Sequence, residues 1–398
     1  MAAGEHIGAR VRVWRRRRGL SQAALAGLAG LSQGYLSQIE AGLRGVERRS
    51  TLVSIASALD VSAADLLGQT GDPADPLRVK ASEAVAAIRV ALVELEAGEI
   101  GEPRCGAQEM GHAVERAMRL RQNSDYLTLA PLLPALLRDA AGHPGTDALT
   151  RIAYETSVCL RNLGYRDLSW PAAKLAVNAA RELGDPAWIG AADFVYALSL
   201  PLEAASVSRR VSERSLVALQ GAAGDPNVRQ MLGQLHLSAA LSSAVDKHAA
   251  TAEAHLAEAE REAATLGDPD DGKGFNLSFF GPTNVRLWKM SLFTELGDYG
   301  KAIELAGGIP VDKLSVANRR QSYYVSLGRS LAYSGRRDKE ALIALARAER
   351  AAPASFRLNP ITRDVVSTMV TRARRRAVAE DLLAMARRLG IGPHCSQQ

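Results

Sequence analysis

Residues 20–42, LSQAALAGLAGLSQGYLSQIEAG, read as two short helices around a tight turn. Ser21 is placed to cap the first helix, with Gln22 at its first position and Leu25, Ala26 and Leu28 following at helical spacing. A serine there offers its side-chain oxygen to a backbone N–H that the helix leaves without a partner. Gly30 centres the turn, because glycine enters the left-handed conformation at little cost. Ser32 opens the second helix, whose apolar face carries Leu36 and Ile39. Two helices joined by three or four residues, the second polar at its N-terminal end, form a unit that fits a DNA major groove.

Further features extend this pattern over about residues 6 to 67: Leu20-Ser21-Gln22, Leu25-Ala26, Leu31-Ser32, Leu36, the ending Ile39-Glu40-Ala41-Gly42, then Leu59-Asp60-Val61-Ser62 and Asp65-Leu66-Leu67. Together they resemble the phage-repressor-like (XRE-type) helix-turn-helix family. The resemblance implies a five-helix head that binds double-stranded DNA. It implies that Gln33, Gly34, Tyr35, Ser37 and Gln38 occupy the base-reading face. Gln33 and Gln38 are the expected readers, since a glutamine amide bonds adenine at N6 and N7 together. Gly34 departs from the long polar residue usual at its place, so one base contact is expected to be missing. The resemblance also implies that Gln22 and the helix-start N–H groups, with Ser32, meet phosphates. Arg15 is implied to form a structural ion pair with Glu40, fixing helix 1 against helix 3.

Charge supports this reading. The chain has 49 Lys+Arg and 43 Asp+Glu, a net charge of +6. Residues 1–70 hold nine arginines and five carboxylates, so most of the excess lies in under a fifth of the chain. Such a patch attracts phosphates by releasing condensed counterions. Arg12, Arg16, Arg17 and Arg18 are the phosphate candidates on helix 1, which is expected from about Glu5 to Arg18 with Val11 or Trp14 facing the core. The loop 43–50, LRGVERRS, is longer than a common link, and Arg44, Arg48 and Arg49 are expected to grip the backbone from it. Thr51 to Leu59 predicts helix 4, and Ser62 caps helix 5 through Leu67.

The remaining chain is Ala/Leu/Arg/Glu at helical spacing, with few alternating β-branched runs and only 5% aromatics. An all-α fold follows. Gly68 to Pro76, GQTGDPADP, marks the clearest boundary. The expected organisation is a DNA-binding domain at 1–70, a linker at 71–77, a connecting or dimerising helix within 78–104, and helical repeats at 105–395. Glycines at 184, 224, 267, 297 and 335 punctuate the repeats at intervals of 40, 43, 30 and 38 residues. That period predicts stacked helical hairpins. Tyr324, Leu327, Gly328 and Leu331, then Ala341, Leu345 and Ala348 with Pro353 as terminator, resemble a tetratricopeptide unit. Gly297-Asp298-Tyr299 with Ala302 and Ala306, and Leu163-Gly164 with Ala173 and Ala180, are further matches. The whole resembles a degenerate tetratricopeptide α-solenoid; an irregular helical bundle is the plainer alternative.

In resembling regulators such repeats sense a short peptide or small molecule, and the ligand alters a dimer and its DNA affinity. Asn162, Asn178, Asn284 and Asn318 are candidates to hold such an effector, because amides both donate and accept. Each also reads as an ordinary surface or cap residue. Phe280, within Phe279-Phe280-Gly281-Pro282, either lines a pocket with Trp288 or plugs a repeat core. Cys105, Cys159 and Cys395 are far apart, and no Cys/His pair has zinc spacing. No cofactor or metal is expected, no enzyme, no membrane span and no signal peptide, which suggests a reduced cytoplasm. The expectation is a cytoplasmic, ligand-modulated regulator binding a pseudo-palindromic operator as a homodimer. The alternative is a DNA-tethered scaffold or antitoxin-like protein whose repeats bind a protein partner.

Overall fold

The computed structural model describes residues 6–68, 76–335, 337–373 and 380–391, all of them helix, turn or loop. The expected linker therefore lies outside the described residues, except for 76 and 77, as does Cys395. The head consists of α1 (Ile7–Arg17), α2 (Gln22–Ala29), α3 (Gln33–Glu40), α4 (Arg49–Ala58) and α5 (Ala63–Leu67). Their starts follow the caps. Ser21 Oγ accepts from Ala24 N at 3.1 Å, and Ser32 Oγ accepts from Tyr35 N at 3.2 Å. Gly30 closes α2 at φ 68°. Ser62 and Asp65 bond reciprocally at the start of α5, the capping-box arrangement.

Ile7, Val11, Leu25, Leu36, Ile39, Ile55, Leu59 and Leu66 make the head's core. Val11 is fully buried, while Trp14 only packs on the core edge, under the Arg17 guanidinium. Leu28 is 65% exposed, because Leu25 and Ala29, one turn apart, take the inward face. Helices α1 and α3 cross backbone against backbone at Gly8. A Cβ there would lie 1.8 Å from the Ile39 carbonyl oxygen, so this position requires glycine.

The body opens with α6 (Pro76–Glu96), α7 (Ala107–Gln122), α8 (Tyr126–Leu129) and α9 (Leu133–Ala141). Successive hairpin helices follow: α10 (Ala148–Asn162), α11 (Arg166–Leu183), α12 (Pro186–Ser199), α13 (Ala205–Leu219), α14 (Pro226–Val245) and α15 (Ala249–Leu266). The C-terminal part holds α16 (Pro282–Leu296), α17 (Tyr299–Ala306), α18 (Ala317–Tyr333), α19 (Asp338–Ala351), α20 (Pro353–Leu358), α21 (Pro360–Ala373) and α22 (Glu380–Arg388). Helix α6 does not stand apart as a connector. Its Ala81, Val85, Ile88 and Ala91 are buried in one core with α7 to α12.

The glycine breaks do the work the sequence suggests, with one exception. Gly184 ends α11 in the left-handed region, and Asp185 caps α12 by accepting from Ala187 and Trp188 N–H. Asp225 does the same for α14. Asp268, by contrast, starts no helix. It accepts from both the backbone N–H and the hydroxyl of Thr283, pinning the base of a loop across 267–281. In the C-terminal hairpin, α18 and α19 touch at Gly328, where a Cβ would sit 2.8 Å from Leu345. Pro353 does not merely end that unit; it opens α20 at once, as its fixed φ permits at a first helical position.

Candidate nucleic-acid interface and interdomain cavity

Helix α3 projects its N-terminal end away from the protein. Ser32, Gln33, Gly34 and Gln38 are exposed, while Tyr35 and Ser37 are half-buried. Nothing lies within 4 Å of the place a Gly34 side chain would start. Tyr35 is stacked by the Arg44 guanidinium, 5.0 Å from its ring centre, and burial pushes its phenol up to about 12. It therefore stays a neutral donor. Arg12, Arg16, Arg17 and Arg18 are exposed on α1 and its end. Arg18 is partly occupied, donating to the Leu59 and Asp60 carbonyls.

Behind this surface, Arg15 and Glu40 form a two-pronged pair, Nε to Oε1 at 2.5 Å and Nη2 to Oε2 at 2.8 Å. Arg15 also donates to the Leu20 carbonyl, which ties in the turn before α2. Burial alone would raise the Glu40 pKa, but the bonds from Arg15 and Gln22 hold it below the usual carboxylate range. Gln22 donates its amide N–H to Glu40 at 2.8 Å. Its side chain is thus a member of the ion-pair network, with one amide N–H committed to Glu40.

The loop 43–50 is where the structure corrects the sequence most. Val46 and Glu47 are buried, and Arg49 turns inward. Arg49 N donates to Glu295 Oε2 at 2.9 Å, and its guanidinium lies 3.4 Å from Oε1. Arg329 bridges Glu295 at 2.9 Å and the Glu47 carbonyl at 2.8 Å. Tyr299 donates to the Glu47 carboxylate. Arg48 lies against Gly297. Of the three loop arginines only Arg44 is exposed, and it pairs with Glu47. The loop clamps the head to the body; it does not lie ready for a DNA backbone.

Asp364 of α21 completes the clamp. Its two oxygens accept from Ile7 N and Val46 N, each at 3.0 Å. Gly45 makes room, since a Cβ there would meet Asp364 at 2.8 Å. Burial pushes the Asp364 carboxyl up to about 6. A folded pKa above the unfolded value means this group favours the fold fully below about pH 4, and that contribution fades as pH rises through about 6. Asp364→Asn removes the titration. The stability difference between wild type and this variant is therefore expected to drift by about 2–3 kcal/mol between pH 4 and 7, wild type losing ground as pH rises. Urea unfolding at a series of pH values measures it; a flat difference would contradict the buried-carboxyl account.

Where head and body meet there is a cavity of about 850 Å³. Its walls include Ile7, Arg10, Arg49 and Leu67 from the head, and Arg161, Phe194, Trp288, Arg319 and Asp364 from the body. Of the six effector candidates, Asn162, Trp288 and Asn318 line it. Asn162 is occupied by the Val158 carbonyl and the Ser355 hydroxyl. Asn318 donates to Tyr126, leaving its oxygen without a partner, and Trp288 Nε1 also has none. The other three are elsewhere. Asn178 is exposed on α11. Asn284 is wholly enclosed in the protein. Phe280 plugs the core between α14 and α16, its ring filling the space a Gly233 side chain would need. Sequence reasoning missed the cavity's arginines, which resemble ordinary surface charges on a helical wheel.

No helix among the described residues is long and apolar enough to cross a membrane, and no group of three or more His, Cys, Asp or Glu among them is placed to hold a metal ion. No curated protein matches the sequence. Among solved structures, the Bacillus thuringiensis protein PlcR, in complex with the peptide PapR7 and DNA, is 12% identical. The match covers 80% of this chain and 99% of that one with a TM-score of 0.38, a likeness too distant to place any residue. Residues 6–67 match the family described as a helix-turn-helix domain. With α2, Gly30 and α3 arranged as that motif requires, residues 6–67 are a helix-turn-helix domain, carried on a body of stacked helical hairpins.

Proposed function

We propose that this protein is a sequence-specific transcriptional regulator whose operator affinity is set by a ligand held between head and body. The observation that carries the reading is the shared cavity: one surface bears an outward recognition helix, and its inner side helps to wall a chamber with the repeats. A volume of about 850 Å³ falls in the range of small-ligand sites. That favours a small effector held in this cleft over a protein partner, which would need a broad exposed apolar patch. A ligand touching both walls favours one placement of the head by its differential affinity for the two arrangements. Gln33 and Gln38 read bases; Arg12, Arg16 and Arg17 hold phosphates. A homodimer then places two heads on a pseudo-palindrome about 34 Å apart.

Selection from fragmented genomic DNA would supply the operator. On it, Gln33→Ala or Gln38→Ala is expected to cost roughly 1–3 kcal/mol and to relax base preference. Arg17→Ala is expected to weaken cognate and random DNA alike and to flatten the salt dependence. Titrations at several salt concentrations test both. Equal losses on cognate and random DNA for the glutamine and arginine variants would remove the distinction between readers and anchors.

A further inference from the structure

The cavity's charge says more than its size. Seven arginines line it against two carboxylates, Glu83 and Asp364. Asp364 is already committed to the Ile7 and Val46 N–H groups, and Glu83 is exposed. Arg121 has its own partner, Glu155, at 2.7 Å, and Arg49 has Glu295. Among the described residues, the side chains of Arg161, at the end of α10, and Arg166, at the start of α11, have no carboxylate within ion-pair distance and no hydrogen bond. Arg319 on α18 has only the Ser278 carbonyl, at 3.1 Å. These three groups and Arg49 form one neighbourhood. Arg161 feels Arg49 and Arg121, Arg166 feels Arg49 and Arg161, and Arg319 feels Arg121 and Arg161.

Proteins pair the charges they enclose, because an isolated ion loses its hydration without return. Burial and mutual repulsion lower Arg166 to about 9 and Arg319 to about 10, so both remain cations at neutral pH. Among the described residues no carboxylate answers these three half-buried cations. Part of the remaining lining is apolar, Phe194, Leu198, Leu241, Val245, Leu287 and Trp288, with Ser208, Ser242 and Ser291 interspersed, and the Trp288 indole N–H there is without a partner.

We infer that the cavity binds an amphiphilic organic anion, its carboxylate or phosphate held by Arg161, Arg166 and Arg319 and its apolar part packed beside Trp288. Guanidinium forks suit either group in bidentate fashion. The inference deepens the regulator reading and rests on it for its biological meaning. It also gives the ligand a direction of action. Arg49 of the head faces Arg161 and Arg166 of the body, three like charges across the joint. An anion among them replaces repulsion by attraction, so it tightens the docked arrangement.

The test is made on the full chain without DNA. Melting and calorimetric binding are compared for octanoate, octyl phosphate, and the tetrapeptide Ala-Leu-Ala-Leu with a free or an amidated C-terminus; octanol is the neutral control. At least one anion is expected to raise the melting temperature above the octanol result, and the arm that responds separates small acid, phosphate ester and peptide carboxylate. Arg161→Gln with Arg166→Gln is expected to weaken that binding about 30-fold or more, while Arg116→Gln, exposed on α7 outside the cavity, leaves it unchanged. The double variant is expected to melt no lower than the unliganded wild type, since it removes unpaired charge. No anion exceeding octanol, undiminished binding by the double variant, or a double variant melting well below wild type would each overturn the inference. Operator binding by the wild type is measured separately, so loss of the DNA reading and loss of the anion reading are told apart.

Discussion

Glu295→Ala is expected to destabilise the protein by about 3–5 kcal/mol, the cost of orphaning an enclosed partner. Glu295 is 3% exposed and serves three donors: the Arg49 backbone, the Arg49 guanidinium and Arg329. Burial alone would raise its pKa; Arg49 and Arg329 together hold it below the ordinary carboxylate range. A depressed pKa contributes stability above the unfolded value, about pH 4, and the contribution is lost as pH falls through the folded one. Without the carboxylate, Arg329 stays buried beside the Glu47 carbonyl with no counter-ion. The loop 43–50 then loses its anchor, and head and body are expected to melt in separate steps. A double-mutant cycle with Arg329→Ala checks this, since the pair should cost less together than the sum of the single changes. Strictly additive losses, or one unchanged cooperative transition in Glu295→Ala, would show that the clamp lies elsewhere.

Glu40→Ala is expected to cost a similar amount, about 3–5 kcal/mol, and to act on the head alone. It removes the acceptor for Arg15 and Gln22 together. Arg15 then holds only the Leu20 carbonyl. Because α1 meets α3 backbone against backbone at Gly8, their relative angle depends on the pair just beyond that crossing. Operator affinity should fall together with stability, for cognate and random DNA alike. Glu40→Gln keeps an acceptor for Gln22 but no charge, so it should recover part of the loss. Urea unfolding read by the fluorescence of Trp14, on α1, in a background with Trp170, Trp188 and Trp288 replaced by phenylalanine, follows the head. Wild-type stability in Glu40→Ala would mean the pair is ornamental.

What the sequence made legible was local. Caps at Ser21, Ser32 and Ser62, the turn at Gly30 and the Arg15–Glu40 pair depend on near neighbours or on a motif with fixed spacing. The all-helical body and its glycine breaks followed from periodicity. What stayed hidden was the partner of each surface. The loop 43–50 looked like a DNA grip because its arginines were visible, while the acceptors that hold it, Glu295 for Arg49 and Asp364 for the Val46 N–H, lay about 250 to 320 residues away in sequence. Asn178 and Asn284 had equal standing on a helical wheel, yet one faces solvent and the other is enclosed, as only the neighbouring helix decides. Arg161, Arg166 and Arg319 did leave a trace: none has an acid three or four residues away to neutralise it. In a chain with 43 acidic residues, such isolation is a usable signal for a charge that waits for something else.

The buried Val46–Glu47 segment has a consequence for anyone who would cut this protein in two. A fragment ending at Gly68 would carry backbone groups at Ile7, Val46, Glu47 and Arg49 shaped for a surface it no longer has. Such a fragment would be sticky. Conversely, a foreign head grafted onto the repeats would need to bring residues 43–50 and the start of α1 along, because Glu295 and Asp364 are answered from there.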